Sequence, residues 1–553
     1  MANEVRFETR EEVDFAVIGS GSAGGILAKE LSTAGFTVVV LEQGPYRKAS
    51  DFTHDELSVL VRAELHGGNN DIHGQTFRDD ESKTADLPHT PPVRYARTVG
   101  GSSVHFTANF WRLRPVDFRE RSLLGPISGT NFADWPITYE ELEPYYTKVD
   151  WEIGVSGAPG PFDAPRSKPF PMPPMPIKSS GVLLERGAAK LGLHAQPEPH
   201  AILSQPHNGR AACTSCGYCM WFGCEVGAKS STLAAMIPLA EASGNCEIRP
   251  LSVVIRIDTD EQDRANQVVY LDAEGNEQAQ KAKAVVLSAN GAESARLLLM
   301  SASAQHPDGL ANSSGFVGRN LMHNAHSLVN SVFEHPLNDY KGVQVSRIIH
   351  DFYDSDETRG FYGGGGIDAR PLWSTTPILH ALEGRDPGVP RWGKAFKDTM
   401  AHDFMRQMSI VASTTSLALD SNNITLDPES KDAWGRPAIR ETYRDHPDDL
   451  AIAAFLEDRC AELADAAGAT KAWRFGIHPT TGGEHLLGTC RMGDDPKTSV
   501  VDNKHRSHDM PNLFICDGSS MVTSGRGQPT MTIMALAFRA ADHIKAAASA
   551  GNI

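Results

Sequence analysis

One stretch constrains this chain more than any other: Val13-Asp14-Phe15-Ala16-Val17-Ile18-Gly19-Ser20-Gly21-Ser22-Ala23-Gly24. An apolar run ends in G-x-G-x-x-G and leads into a helix carried by Ile26, Leu27 and Leu31. A second apolar run, 37–41, follows and is closed by Glu42. Together they read as a β-α-β unit of about 30 residues with an acid at the tip of its second strand, the pattern of dinucleotide binding. Gly19 allows the tight turn, Gly21 lets the backbone approach a pyrophosphate, and Gly24 lets the helix sit against the strand. The helix N-terminus offers N–H groups and a positive dipole end to phosphate. Glu42 can accept hydrogen bonds from a ribose diol.

At 553 residues the chain is too long for one ordinary core, so two connected domains are expected. Its net charge of −17, from 52 basic and 69 acidic residues, argues against non-specific binding to nucleic acid or anionic membrane. The first twelve residues carry no apolar h-region, and no apolar run is long enough to span a bilayer. A cytoplasmic location is therefore the default expectation, although export on a signal-bearing partner subunit would leave no trace here.

Residues 47–92 are polar and irregular, with Gly67-Gly68-Asn69-Asn70 inside them, and suit a segment lying over the cofactor or covering the site. In 97–109, Gly100-Gly101 is followed by Ser102, Ser103 and His105, ending at Asn109. Paired glycines followed by hydroxyls suit a close backbone approach, either as a second wall of the cofactor site or as a bend beside a core histidine. The proline-rich stretch 157–181 excludes helix and central strand and reads as an extended surface connector. Runs at 251–257, which include Val253, and at 267–271 alternate like a hairpin. Residues 284–294 repeat the theme of a buried strand entering a small-residue turn and helix. From about 325 to 480, strand-like runs alternate with polar loops, and a helix is expected over 448–467. The end returns to the first domain with a buried strand tipped by Asp517 and a closing amphipathic helix over 530–545. The expected division is 13–324 for the cofactor domain, with a cysteine-rich insertion at about 205–230, then 325–480 for substrate, then 481–553 for the return.

Of eight cysteines, Cys213, Cys216, Cys219 and Cys224 are clustered. In a long cytosolic chain such a cluster points to metal more than to a disulfide framework. C-x2-C-x2-C is the spacing by which a loop wraps thiolates around an iron–sulfur cluster, but the last interval, x4, differs from the ferredoxin run. Structural zinc, and cysteines that bind nothing, remain open readings.

These pieces, in this order, resemble the glucose–methanol–choline (GMC) family of flavin oxidoreductases. The resemblance is carried by 19–42, 99–109, 286–296, Gly318-Arg319-Asn320-Leu321, 485–493, Val500-Val501-Asp502, 512–517 and 529–537. In character it is closest to bacterial sugar dehydrogenases and pyranose oxidase-like members. It implies an α/β fold with a Rossmann-type FAD domain and a substrate domain on an antiparallel sheet. It further implies oxidation of a CH–OH group by hydride transfer to flavin N5. The implied cofactor contacts are Gly19, Gly21, Gly24, Glu42, Gly100, Gly101, Ser102, His105, Asn109, Val253, Asp517 and Pro529. His485 stands where the family places its base, and a neutral imidazole suits that task. His478 is a nearby second candidate. Before Pro529-Thr530 the family usually has Asn or His, whereas this chain has Gln528, which can hold a substrate hydroxyl but cannot act as a base. His105 is similar in position to a histidine that carries covalent flavin in some members, so a covalent bond there is one expectation. The cysteine segment resembles an insertion of sugar dehydrogenases that passes electrons through a three-iron cluster to a cytochrome subunit. A small subunit or cytochrome is therefore an expected partner. An oxygen-reducing oxidase of the same fold is the alternative, and an FAD-containing lyase a more distant one.

Overall fold

The computed structural model describes residues 5–65, 70–371 and 376–553; Gly67, Gly68 and Asn69 lie outside the described residues. The opening run forms strand β1 (Val13–Ile18), helix α1 (Gly24–Thr33) and strand β2 (Val38–Leu41). β1 is parallel to β2 on one side and to β8 (Glu277–Leu287) on the other. β5 (Cys246–Arg249) extends this sheet beyond β2, and β16 (Leu513–Ile515) pairs in parallel with β8. β1, β2, β16 and the last four residues of β8 are almost wholly buried, which is why they read as apolar runs in the sequence. The last residues of the parallel strands are level: Ile18 pairs with Leu41 and Leu287, and Leu287 with Ile515. Gly19, Glu42, Ser288 and Cys516 therefore emerge together along one edge of the sheet, the carboxyl edge where such folds hold ligands. The amino half of β8 continues into an antiparallel meander with β7 (Ala265–Leu271) and β6 (Val253–Thr259), the expected hairpin.

A second sheet is antiparallel throughout. Its order is β15 (Lys471–Arg474), β9 (His326–Val332), β12 (Gln407–Thr414), β11 (Gly365–Arg370), β10 (Arg347–Ile349) and β4 (Ala195–Pro197). Val329, Ile367, Ala369, Met408, Ile410 and Ala412 pack one face against two helices, α3 (Ser179–Leu191) and α5 (Pro447–Ala467). Alternation puts His326, Asn330, Asp368, Arg370, Ser409 and Ser413 on the opposite face.

The chain interleaves these units more than cuts at 325 and 481 allow. β4 and α3 enter the second sheet from before 325, because the proline-rich connector carries the chain across to it. That connector is not simply a surface strap, since Phe170, Met172 and Met175 are buried. β13 (Asn423–Lys431) and β14 (Pro437–Thr442) form a third, small sheet with β3 (Thr76–Arg78), which comes from the stretch expected to be irregular. The closing helix, here α6 (Thr530–Ser549), also departs from its amphipathic expectation. Its first half is buried nearly all round because it packs on both α1 and α2 (Tyr139–Val149). No helix among the described residues is long and apolar enough to cross a membrane.

Candidate active site

At the carboxyl edge of the parallel sheet lies a cavity of about 190 Å³. Its lining includes Gly19, Gly21, Glu42, Gly101, Ser102, Val253, His485, Asp517 and Pro529. A Cβ on Gly19 (φ +91°) would lie 2.4 Å from the Ser288 carbonyl oxygen, so only glycine fits the turn. Gly24 stands behind the lining, where a Cβ would lie 2.0 Å from the Gly19 carbonyl oxygen. Gly21 and Gly101 face each other: a Cβ on Gly101 would come within 2.8 Å of the Gly21 Cα. Two backbone segments thus approach with no side chain between them, a cradle suited to a pyrophosphate beside the first turn of α1.

Ser20, inside the glycine motif, was not singled out by the sequence, yet it joins these parts. Its hydroxyl donates to Glu42 Oε2 at 2.6 Å and accepts the Gly100 N–H at 3.0 Å. Glu42 also accepts N–H bonds from Ser20 and Gly44. Burial pushes its carboxyl above the usual range, opposed by these bonds and by Arg97. Asp517 accepts from the Asn290 and Ser519 N–H groups and from the Ser294 hydroxyl, tying the start of α4 (Glu293–Met300) to the end of β16. His105 and Asn109 do not line the cavity. The carbonyl of His105 accepts the Trp221 N–H at 2.9 Å, and Asn109 bridges to His200.

His485 lines the same cavity. Its Nδ1 lies 2.9 Å from Asn324 Oδ1, and its carbonyl oxygen lies 3.0 Å from His323 Nδ1. His323 Nε2 is in turn 3.3 Å from Glu441 Oε1, with both side chains buried. The His326 ring stands edge-on to His485, with centroids 5.9 Å apart. Burial, reinforced by His323 and Arg370 and opposed by Glu484, pushes His485 down to about 4. The ring is therefore neutral at ordinary pH. Nε2 has no hydrogen-bond partner among the described residues. His478 is exposed and does not line the cavity.

Gln528 is half-buried and sits beside the lining residue Pro529, without itself being part of the lining. The preceding Gly527 (φ +114°) would place a Cβ 2.4 Å from Ser413 Cβ, so this loop lies directly on the polar face of the second sheet. Fully buried Arg526 holds the loop, donating to the Tyr353 carbonyl at 2.9 Å, to the Tyr362 hydroxyl and to Glu120. The sequence offered no signal for His323 or Asn324 beyond a polar run at the mouth of β9, and none for Arg526.

Cys213, Cys216, Cys219 and Cys224 line a second, smaller cavity together with Lys229. The Ser215 N–H donates to Cys213 Sγ at 3.3 Å, and Ser215, Gly217 and Trp221 have positive φ, so the loop curls around its own sulfurs. Lys229 is buried and donates to the carbonyls of Phe106, Cys219 and Phe222. Burial pushes Lys229 down to about 8 and the Cys219 thiol up to about 12. Among the described residues, no three cysteine sulfurs lie mutually within 4.8 Å. Tetrahedral zinc, with Zn–S of about 2.3 Å, needs sulfurs roughly 3.8 Å apart. The loop as folded is not a closed zinc site.

A family model described as GMC oxidoreductase matches residues 93–326, and a second of the same description matches 418–537. The chain is 36% identical to a 2-methyl-1,2-propanediol dehydrogenase of Mycolicibacterium austroafricanum, over 97% of this chain and 95% of that protein. It is 32% identical to the fructose dehydrogenase large subunit of Gluconobacter japonicus, over 96% of this chain and 97% of that one. Among solved structures, a pyridoxine 4-oxidase from Mesorbium loti shares the fold with a TM-score of 0.66 at 18% identity, covering 97% of this chain and 99% of that one.

Proposed function

The chain belongs to the GMC oxidoreductase family, and from that premise we propose that it oxidises a CH–OH group of a small diol, alcohol or sugar with bound FAD, using His485 as the base. Bound FAD supplies a hydride acceptor at flavin N5. Gly19, Gly21 and Gly101 would flank its pyrophosphate, and Glu42 its ribose. Asp517 and Pro529 line the same cavity near His485. The observation that carries the reading is His485 itself: a neutral ring in the wall of the cavity with Nε2 unengaged. As the substrate C–H bond gives up hydride, its hydroxyl proton must leave, and Nε2 is the atom able to take it. Gln528 is read as a holder of the substrate hydroxyl.

A carrier, rather than oxygen, is the proposed electron acceptor. One relative is named as the large subunit of fructose dehydrogenase, which supports a partner subunit here as well. The cysteine loop is proposed to hold an iron–sulfur cluster. Its N–H···S bond, its spread sulfurs and its hydrogen bonds to the backbone at 105–106 through Trp221 and Lys229 support that reading. FAD is read as non-covalent, because His105 stands outside the cavity lining.

The test is an anaerobic preparation given a panel of diols, sugars and simple alcohols while the flavin absorbance is followed. Bleaching by a CH–OH donor is expected. His485→Asn should slow it about 10²- to 10⁴-fold with flavin content unchanged. No bleaching by any donor, or an unimpaired variant, would reject the reading. The same preparation separates the finer points. Iron with a broad brown absorption supports the cluster, whereas a plain yellow spectrum without iron removes it. Rapid reoxidation by air would favour the oxidase. Yellow in the acid-precipitated pellet would assign a covalent bond.

A further inference from the structure

We propose that Asn324 is a positioning residue that locks the ring proton of His485 on Nδ1 and leaves Nε2, with its lone pair, as the base facing the cavity. The inference rests on the reading of His485 as the base. Asn324 is buried just before β9. Its Nδ2 donates to the carbonyl oxygens of Thr414 at 2.8 Å and Ser524 at 3.4 Å. Carbonyl oxygens only accept, so the NH₂ end of the amide must face them and Oδ1 must face His485. At 2.9 Å, a lone pair on Nδ1 would oppose a lone pair on Oδ1; a proton on Nδ1 makes the contact a hydrogen bond instead. In a neutral imidazole this leaves Nε2 unprotonated.

The surroundings keep the ring neutral. The charged and titratable groups facing it are Glu484 from its own segment, His323 from the approach to β9, His326 on β9 and Arg370 on β11. Burial, His323 and Arg370 disfavour the imidazolium, and Glu484 opposes them. A carboxylate at position 324 would accept the same proton but would also stabilise the imidazolium. An amide orients the ring without making it charge. His323 restrains the backbone of the same residue through the His485 carbonyl, so one short segment, 323–326, contacts His485 at its carbonyl, at Nδ1 and at its ring.

The experiment is the pH dependence of flavin reduction, kcat and KM for the holoenzyme, Asn324→Asp and Asn324→Leu, with FAD content measured for each. The wild type should keep its rate down to about pH 5, since burial pushes His485 down to about 4. Asn324→Asp should move the acid limb up by about one pH unit or more while keeping a substantial plateau rate. Asn324→Leu should lower kcat about 10²-fold with little change in KM, because the ring is free to adopt the other tautomer. A merely structural role would lower flavin content or melting temperature and leave the acid limb in place; an unmoved limb in a flavin-loaded Asn324→Asp enzyme overturns the proposal. If neither variant folds, the wild type still decides. With ¹⁵N-labelled histidine, and the resonance assigned by its loss in His485→Asn, a protonated Nδ1 and bare Nε2 are expected, and the reverse overturns the proposal. If no CH–OH donor reduces the wild-type flavin, the base reading itself fails, while the ¹⁵N result still reports the tautomer.

Discussion

At the scale of single residues, the facing glycines show how little room the carboxyl edge of the parallel sheet allows. Gly101 has φ +55°, and a Cβ there would press on the Gly21 Cα. Gly101→Ala is expected to retain the fold but to weaken FAD binding by about tenfold or more, since both strain and crowding fall on the cradle. The flavin-to-protein ratio on purification, with a dissociation constant for re-added FAD, checks this; unchanged binding would mean that Gly101 does not border the pyrophosphate. Gly19, Gly21 and Glu42, which line the cavity, stood out in the sequence because turn geometry and chain spacing express themselves locally, whereas Gly101 was picked out by the resemblance. Ser20 and Thr232 did not stand out. Ser20 acts on Glu42, 22 residues away, and on Gly100, 80 away. The Thr232 hydroxyl reaches the Ser20 carbonyl across 212 residues. Such bonds leave no periodic or motif signal.

At the scale of elements, Glu30 joins three helices. From α1 its carboxylate accepts from Lys29, from Lys148 of α2 at 3.0 Å and from Lys545 of α6 at 3.1 Å. Burial alone would raise its pKa, but the hydrogen bonds from Lys29 and Lys148 prevail and lower it from 4.5 to about 2. A carboxyl depressed in the folded state contributes stability that is fully present above its ordinary pKa and is lost as pH falls through the folded value. The window here is from about pH 4.5 down to about 2. Glu30→Gln should therefore cost on the order of 2–3 kcal/mol near neutral pH and show a shallower further loss across that window. Urea unfolding at pH 7 and pH 3.5 measures it; equal losses at both would show that the charge is not what holds the helices. The helices themselves were visible from their apolar spacing, but their partners were not. The expected amphipathic pattern of α6 fails for the same reason, since α1 and α2 cover faces that a surface helix would leave wet.

At the scale of the whole molecule, the cavity draws on the chain from Ile18 to Ile533, taking residues from β1, from the ends of β2 and β8, from the 101–102 turn and from the loop at His485. A ligand seated there binds only the assembled protein and stabilises it by linkage, about 2.7 kcal/mol at a hundredfold excess over its dissociation constant. Removing FAD should lower the melting temperature by several degrees, and added FAD should restore it in a concentration-dependent way, as thermal unfolding monitored by circular dichroism would report. A melting temperature indifferent to FAD would place the cofactor elsewhere. The sequence by itself determined the nucleotide-binding frame and the family, because glycine turns, buried parallel strands and their acidic tip are short-range features written within a few dozen residues. Only the tertiary structure decided that His105 stands outside the cavity lining, that no three of the four clustered cysteine sulfurs lie mutually within 4.8 Å among the described residues, and that β4 belongs to the second sheet. It alone paired His485 with Asn324, 161 residues away. Those outcomes depend on which side chains meet when distant segments pack, and a proton's place on a ring depends on the one acceptor that packing brings within reach.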